Sequence, residues 1–246
     1  MDSNNVSMFT TPNNFKYSAI DMDNLDAGAY TIVNVLVDVT LSVSGLESEI
    51  ENCLKTIVDA CEKDSCSETL LVRVATFSSS QGIVEQHGFV LLNSIDKDKY
   101  TIKTGGMTNL YDAILDCIET TEVYAKDLQK QKYDCNAIFY VITDGCENDS
   151  VTGTLDKIKS SMDKLKRSET CESVTSVLVG LADTYSGVKD YLMTLKDDGG
   201  LDEYVSVGDA TPSNLAKLGR MISQSISSTS QALGSGGPSQ TANFTL

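Results

Sequence analysis

The run Thr31-Ile32-Val33-Asn34-Val35-Leu36-Val37 ends at Asp38-Val39-Thr40-Leu41-Ser42, and the fold is read outward from that junction. A β-rich apolar stretch of this length reads as a strand buried on both faces. It stops at a carboxylate, and two hydroxyls follow at two-residue spacing. In an extended segment that spacing points Asp38, Thr40 and Ser42 the same way. Two further oxygen donors stand at element edges downstream: Thr108, in Gly105-Gly106-Met107-Thr108, and Asp144, in Val141-Ile142-Thr143-Asp144-Gly145. Hard oxygen groups with no histidine or cysteine among them are the donor set that Mg²⁺ or Mn²⁺ prefers.

Other apolar, β-rich runs follow at Leu70–Phe77, Ile83–Leu92, Ala137–Thr143, Val174–Leu181 and Tyr204–Val207. Between most of them apolar residues recur at helical spacing: Leu46 to Cys61, Leu110 to Leu128, Leu155 to Leu165, Val188 to Leu195 and Leu215 to Ile226. Ser44 with Glu47 reads as a capping box, and Pro212 as a first-turn proline. Only a Ser-rich turn and Gly82 separate Leu70–Phe77 from Ile83–Leu92, which permits an antiparallel hairpin and no parallel crossover. The predicted fold is α/β and three-layered: a mostly parallel, doubly wound sheet with one antiparallel edge strand. Residues 1–28 read as a polar arm, 29–232 as the domain, and 233–246, with Gly234-Ser235-Gly236-Gly237, as a flexible tail.

In such sheets ligands bind beyond the carboxyl ends of the strands. Asp38 and Asp144 each end a strand, and Thr108 opens the helix leading into the second, so the three can converge. Each has a plainer reading. Asp38 could end a strand and nothing more, Thr108 could be a helix N-cap in competition with Asn109 and Asp112, and Asp144-Gly145 is a common turn pair. Gly105-Gly106 marks a close approach, and Glu147 is an outer-shell candidate. His87, the single histidine, falls in the hairpin strand as an exposed residue, so a Ser-His-Asp triad has no support.

Composition bounds the partners. The net charge of −16, with Lys scattered as in Asp96-Lys97-Asp98-Lys99, leaves no basic stripe for nucleic acid. No apolar run approaches a membrane span. The seven cysteines contain no C-x-x-C pair, which excludes zinc-ribbon and thioredoxin signatures. Met1-Asp2-Ser3-Asn4-Asn5 lacks the start of a signal peptide, so a reducing, cytoplasmic setting is expected.

Taken in order, Asp-x-Thr-x-Ser after a strand, Gly-Gly-x-Thr-x-Leu-Tyr-Asp-Ala-Ile opening a helix, and a strand ending Thr-Asp-Gly resemble the von Willebrand factor type A domain. The resemblance spans Tyr30 to Ile226, and its middle motif is similar to the intracellular bacterial and phage branch that includes tellurium-resistance-associated members. It implies a metal-ion-dependent adhesion site. Thr40 and Ser42 match the hydroxyl positions, Thr108 the switching threonine, and Asp38 and Asp144 the carboxylates that bind directly or through water. The first hydroxyl is Thr40 where that family usually has serine, which keeps the oxygen and stiffens the side chain.

The function so implied is non-enzymatic: one Mg²⁺ or Mn²⁺, and through it an acidic residue of a protein partner. By analogy the partner is an ATPase or assembly factor, in a bacterial or phage-infected cell. An alternative is a degenerate-site structural or virion-associated module. Another is a haloacid-dehalogenase-like phosphohydrolase with Asp38 as nucleophile, but that chemistry usually needs an acid at position 40, where a threonine stands.

Overall fold

Apolar residues at both odd and even positions commit Ala29–Asp38 (β3) to the middle of a sheet. Val33, Val35 and Val37 face one side, and Ile32 and Leu36 the other. The computed structural model describes residues 6–63, 65–181 and 187–235. The elements are β1 (Val6–Thr10), β2 (Lys16–Ile20), β3, α1 (Glu47–Cys61), β4 (Leu70–Ser78), β5 (Gly82–Leu91), α2 (Leu110–Lys130), β6 (Asp134–Thr143), α3 (Leu155–Arg167), β7 (Ser173–Leu181), α4 (Val188–Gly199), β8 (Glu203–Gly208) and α5 (Pro212–Ser235).

These strands form one sheet in the order β1-β2-β5-β4-β3-β6-β7-β8. β3, β4, β6, β7 and β8 run parallel, and β5 returns antiparallel to β4. Helices α1 and α5 cover the Val33–Val37 face, while α2, α3 and α4 cover the other. The three-layer, mostly parallel fold expected from the sequence is therefore present, with β5 antiparallel as the short turn requires.

Several local expectations give way. Residues 6–20 are a hairpin and not an irregular arm: β1 and β2 pair antiparallel, and β2 joins β5 at Ala19–Phe89. β5 is thus an interior strand, and β1 forms the edge. The alternation of Tyr17 and Ala19 with Lys16 and Ser18 drives this. Both apolar residues are fully buried, with Phe9 stacked on Tyr17 at 5.2 Å and Tyr17 set edge-on to Phe89 at 5.9 Å. The Ser44–Glu47 capping box does not form. Gly45, at φ +92°, inserts a turn, and Glu47 accepts from the Gly45 N–H (2.8 Å) and the Thr104 hydroxyl (2.7 Å). At the other end α5 reaches Ser235, and positions 236–246 of the expected tail lie outside the described residues.

Under α2 runs a buried polar network that the sequence did not announce. Arg73 of β4 is fully buried and donates to Glu85 of β5 (2.7 Å), Asp116 of α2 (2.7 Å) and Asn34 of β3 (3.2 Å). Glu85 in turn accepts from the Ser18 hydroxyl at 2.7 Å, which ties the N-terminal hairpin to the centre of the domain. His87 is also more enclosed than an exposed strand residue. Its ring contacts the Gly88 carbonyl and the Tyr100 hydroxyl, both at 2.9 Å, and burial holds it below the usual histidine range.

Candidate metal centre

Asp38 closes β3 with its side chain fully buried. Its Oδ1 accepts the Thr40 backbone N–H at 2.8 Å, and its Oδ2 accepts the Thr143 hydroxyl at 2.6 Å. Burial nonetheless dominates and pushes the carboxyl up to about 6, with nearby Asp144 adding to the rise. Thr40 follows in extended conformation, φ −71° and ψ 173°, before a 3-10 turn over Leu41–Val43. Its hydroxyl meets Ser42 Oγ at 2.8 Å, and Ser42 donates to Asp144 Oδ1 at 2.7 Å. With the Ser42 proton on Asp144, the Thr40 hydroxyl has two acceptors within its reach, the Ser42 oxygen and the Asp38 carboxyl. Asp144, just past β6, is also raised by burial.

The loop before α2 is fastened to this segment on its other side. Gly105 N–H donates to the Val39 carbonyl (2.9 Å), and Leu41 N–H to the Gly106 carbonyl (3.2 Å). Gly106 sits at φ +78°, and a Cβ there would fall 2.6 Å from the Ser80 nitrogen, so the close approach requires glycine. Two positions on, the buried Thr108 brings its hydroxyl over Gly145: a Cβ at Gly145 would lie 3.4 Å from Thr108 Oγ1. Asp38, Thr40, Ser42, Thr108 and Asp144 are thereby gathered at one sheet edge, beyond the ends of β3 and β6.

Thr108 is not the cap of α2. That position is Asn109, whose side chain makes no capping bond and whose Oδ1 is buried without a hydrogen-bond partner. The N–H groups at the start of α2 are met from across the edge. Asn148 accepts from Thr108 N (2.8 Å), Glu147 from Tyr111 N (2.8 Å), and the Ser150 hydroxyl from Asp112 N (3.0 Å). Asp112 accepts from the backbone N–H of Val151 (3.0 Å), Thr152 (2.9 Å) and Gly153. Sequence reading missed Thr143, Asn148 and Ser150, and it gave Asp112 to its own helix. The available signal was the position of Thr143 immediately before Asp144, on the same strand end.

The donor set fits a hard divalent cation. It consists of carboxylate and hydroxyl oxygens. Among the described residues neither Asp38 nor Asp144 is paired with Lys or Arg, so hydrogen bonds alone offset the burial of their charge. Among the described residues no group of three or more His, Cys, Asp or Glu side chains is placed to hold a metal ion, so Asp38 and Asp144 do not make such a site by themselves.

No protein-family model and no curated protein matches the chain. Solved structures do. The chain is similar to a point mutant of the minor pilin PilB from Streptococcus sanguinis, with 14% identity and TM-score 0.57 over 90% of this chain and 66% of that one. The pilus adhesin SpaC from Lactobacillus rhamnosus GG matches with 10% identity and TM-score 0.59, covering 91% of this chain and 35% of that one. Proximal thread matrix protein 1 from the mussel byssus matches with 15% identity and TM-score 0.56, over 81% and 48%. The chain thus spans no more than about two-thirds of these proteins' length. At such identities the likeness is one of fold.

Proposed function

We propose that this chain is a von Willebrand factor A-like recognition module. Asp38, Thr40, Ser42, Thr108 and Asp144 would hold Mg²⁺ or Mn²⁺, and the ion would accept an acidic side chain of a protein partner. The observation that carries this reading is the Thr40–Ser42–Asp144 hydroxyl chain beside the buried Asp38, which has no cationic partner among the described residues. When bound, the ion supplies positive charge where two anionic surfaces would otherwise repel, which matters for a chain at −16. This chain's residues orient the oxygens, and the bonds from Thr143 and the Thr40 N–H fix Asp38.

The surroundings favour a protein partner. Leu41, Met107 and Val151 are exposed by 66%, 52% and 92%, and each lies on one of the loops that form the centre. An acidic side chain flanked by apolar groups suits that face. An ATPase or assembly factor in the cytoplasm belongs to the same reading, by analogy. No described helix is long and apolar enough to cross a membrane. A second reading, a structural module without an ion, draws on the same hydroxyl chain, since Thr40, Ser42 and Asp144 satisfy one another unaided.

Calorimetric titration of Mg²⁺ into wild type and Asp38→Ala separates the two. The recognition reading expects saturable binding by wild type alone, together with partner capture that chelator abolishes. Equal responses from both proteins would leave the structural reading standing.

A further inference from the structure

Cys135 and Cys171 stand with their Sγ atoms 3.5 Å apart, though 36 residues separate them in sequence. Cys135 is buried near the start of β6, and Cys171 is partly exposed just before β7. The two segments are already joined at the backbone, because Glu172 N–H donates to the Cys135 carbonyl at 2.8 Å. The Cys135 thiol also meets the Thr170 carbonyl at 3.4 Å. Glu169, at φ +50°, holds the preceding turn in the left-handed region. Closing from this contact to the ~2.05 Å of a bonded pair is within reach of side-chain torsions. The pair lies at the opposite end of β6 from Asp144, so it is independent of the candidate metal centre.

We propose that Cys135 and Cys171 are a dithiol–disulfide pair, with Cys171 the thiol that meets a small disulfide oxidant and Cys135 the resolving thiol. Of the two residues Cys171 is the less buried, and so the one an oxidant can reach first. The neighbouring thiol and burial push Cys135 above the usual cysteine range, which suits a group that waits for the first step. With oxidised glutathione, the Cys171 thiolate attacks one sulfur and breaks the oxidant's S–S bond. One glutathione leaves as thiolate and takes up a proton, and a mixed disulfide forms on Cys171. Cys135 then loses its proton to solvent, attacks Cys171 Sγ and expels the second glutathione. Two protein thiols are oxidised, and one glutathione disulfide is reduced to two thiols.

The test is equilibration of the full chain with mixtures of oxidised and reduced glutathione, followed by acid quenching, alkylation, peptide mass mapping and thermal unfolding. A Cys135–Cys171 linked peptide is expected, with the other five of the seven cysteines still alkylated. The unfolding temperature should rise with the link and fall back on reduction with dithiothreitol. Cys135→Ser should accumulate a stable glutathione adduct on Cys171, and Cys135→Ala should do the same without placing a hydroxyl in the buried site. Cys171→Ser should form no link. The proposal is overturned if both thiols stay alkylated at every ratio, if Cys135 or Cys171 links to a different cysteine, or if neither Cys135 variant retains the adduct.

Discussion

Ser42 donates its hydroxyl to Asp144 at 2.7 Å across 102 residues of sequence, and so joins the loop after β3 to the end of β6. Two segments that share no local sequence thus meet through one proton. The proposed ion would depend on both sides of this contact. At a Mg²⁺ concentration about a hundred times Kd, binding should stabilise wild type by about 2.7 kcal/mol. At roughly 2–4 °C per kcal/mol for a chain of this size, the melting temperature should rise by about 5–10 °C. Ser42→Ala should lose most of that rise in a thermal-shift assay. A full rise in the variant would remove Ser42 from the centre.

Asp144→Asn should change sign with the metal. Burial raises the Asp144 carboxyl, so its charge is disfavoured in the folded state, and without Mg²⁺ the neutral amide should be no less stable than wild type. With Mg²⁺ present the variant should fall behind, because the ion's counter-charge is gone. Paired melting curves with Mg²⁺ and with chelator would show the crossing, and parallel curves would argue against ligation.

At position 40 the hydroxyl should matter and the methyl should not. Thr40→Val keeps the buried shape and removes the hydroxyl that bonds Ser42, at a cost of about 0.5–1.5 kcal/mol, and should abolish the Mg²⁺ response. Thr40→Ser should retain the response. Calorimetry on the two variants distinguishes them, and a response surviving in the valine variant would contradict the assignment.

Asp116→Ala should be among the most damaging single changes. It leaves Arg73, fully buried, without its strongest partner, and breaking such a pair costs about 3–5 kcal/mol. Urea unfolding measures this directly. The Mg²⁺ affinity of the fraction that still folds should be unchanged.

His87 should give stability a dependence on pH. Its folded-state pKa lies below 6.5, so in the window between the two values the unfolded chain binds the extra proton. Stability from this residue is complete above pH 6.5 and is lost as pH falls toward the folded value. Asp38, pushed up to about 6, acts in the opposite direction, with stability lost as pH rises from 3.8 through 6. The difference in unfolding free energy between wild type and His87→Gln therefore isolates the histidine. A difference independent of pH would refute the burial argument.

What could be read from the sequence was whatever is local. The β3 strand announced itself by an unbroken apolar run, and Asp38 by the way it ends that run. β1 and β2 were hidden because five-residue strands with lysine and serines between their apolar positions resemble loop composition. Arg73 stood in plain view within an apolar run, but its partners Glu85 and Asp116 lie 12 and 43 residues away. Long-range pairing has no periodicity to betray it. The same is true of Cys135 and Cys171, and of Glu147, which serves a helix that begins far upstream of it. The capping box failed for a local reason: Gly45 let the chain turn before the helix began.

The capping of α2 by Asn148, Glu147 and Ser150 has a mechanical consequence. Thr108 and Asp144 are not carried on separately moving loops, because the peptide that leaves Asp144 is clamped onto the helix that Thr108 opens. Traction applied at the centre would be shared at once between β6 and α2. Through Asp116 and Arg73 it would pass to β4, and through Glu85 and Ser18 to the N-terminal hairpin. A chain pulled by a partner at this edge would resist as one piece.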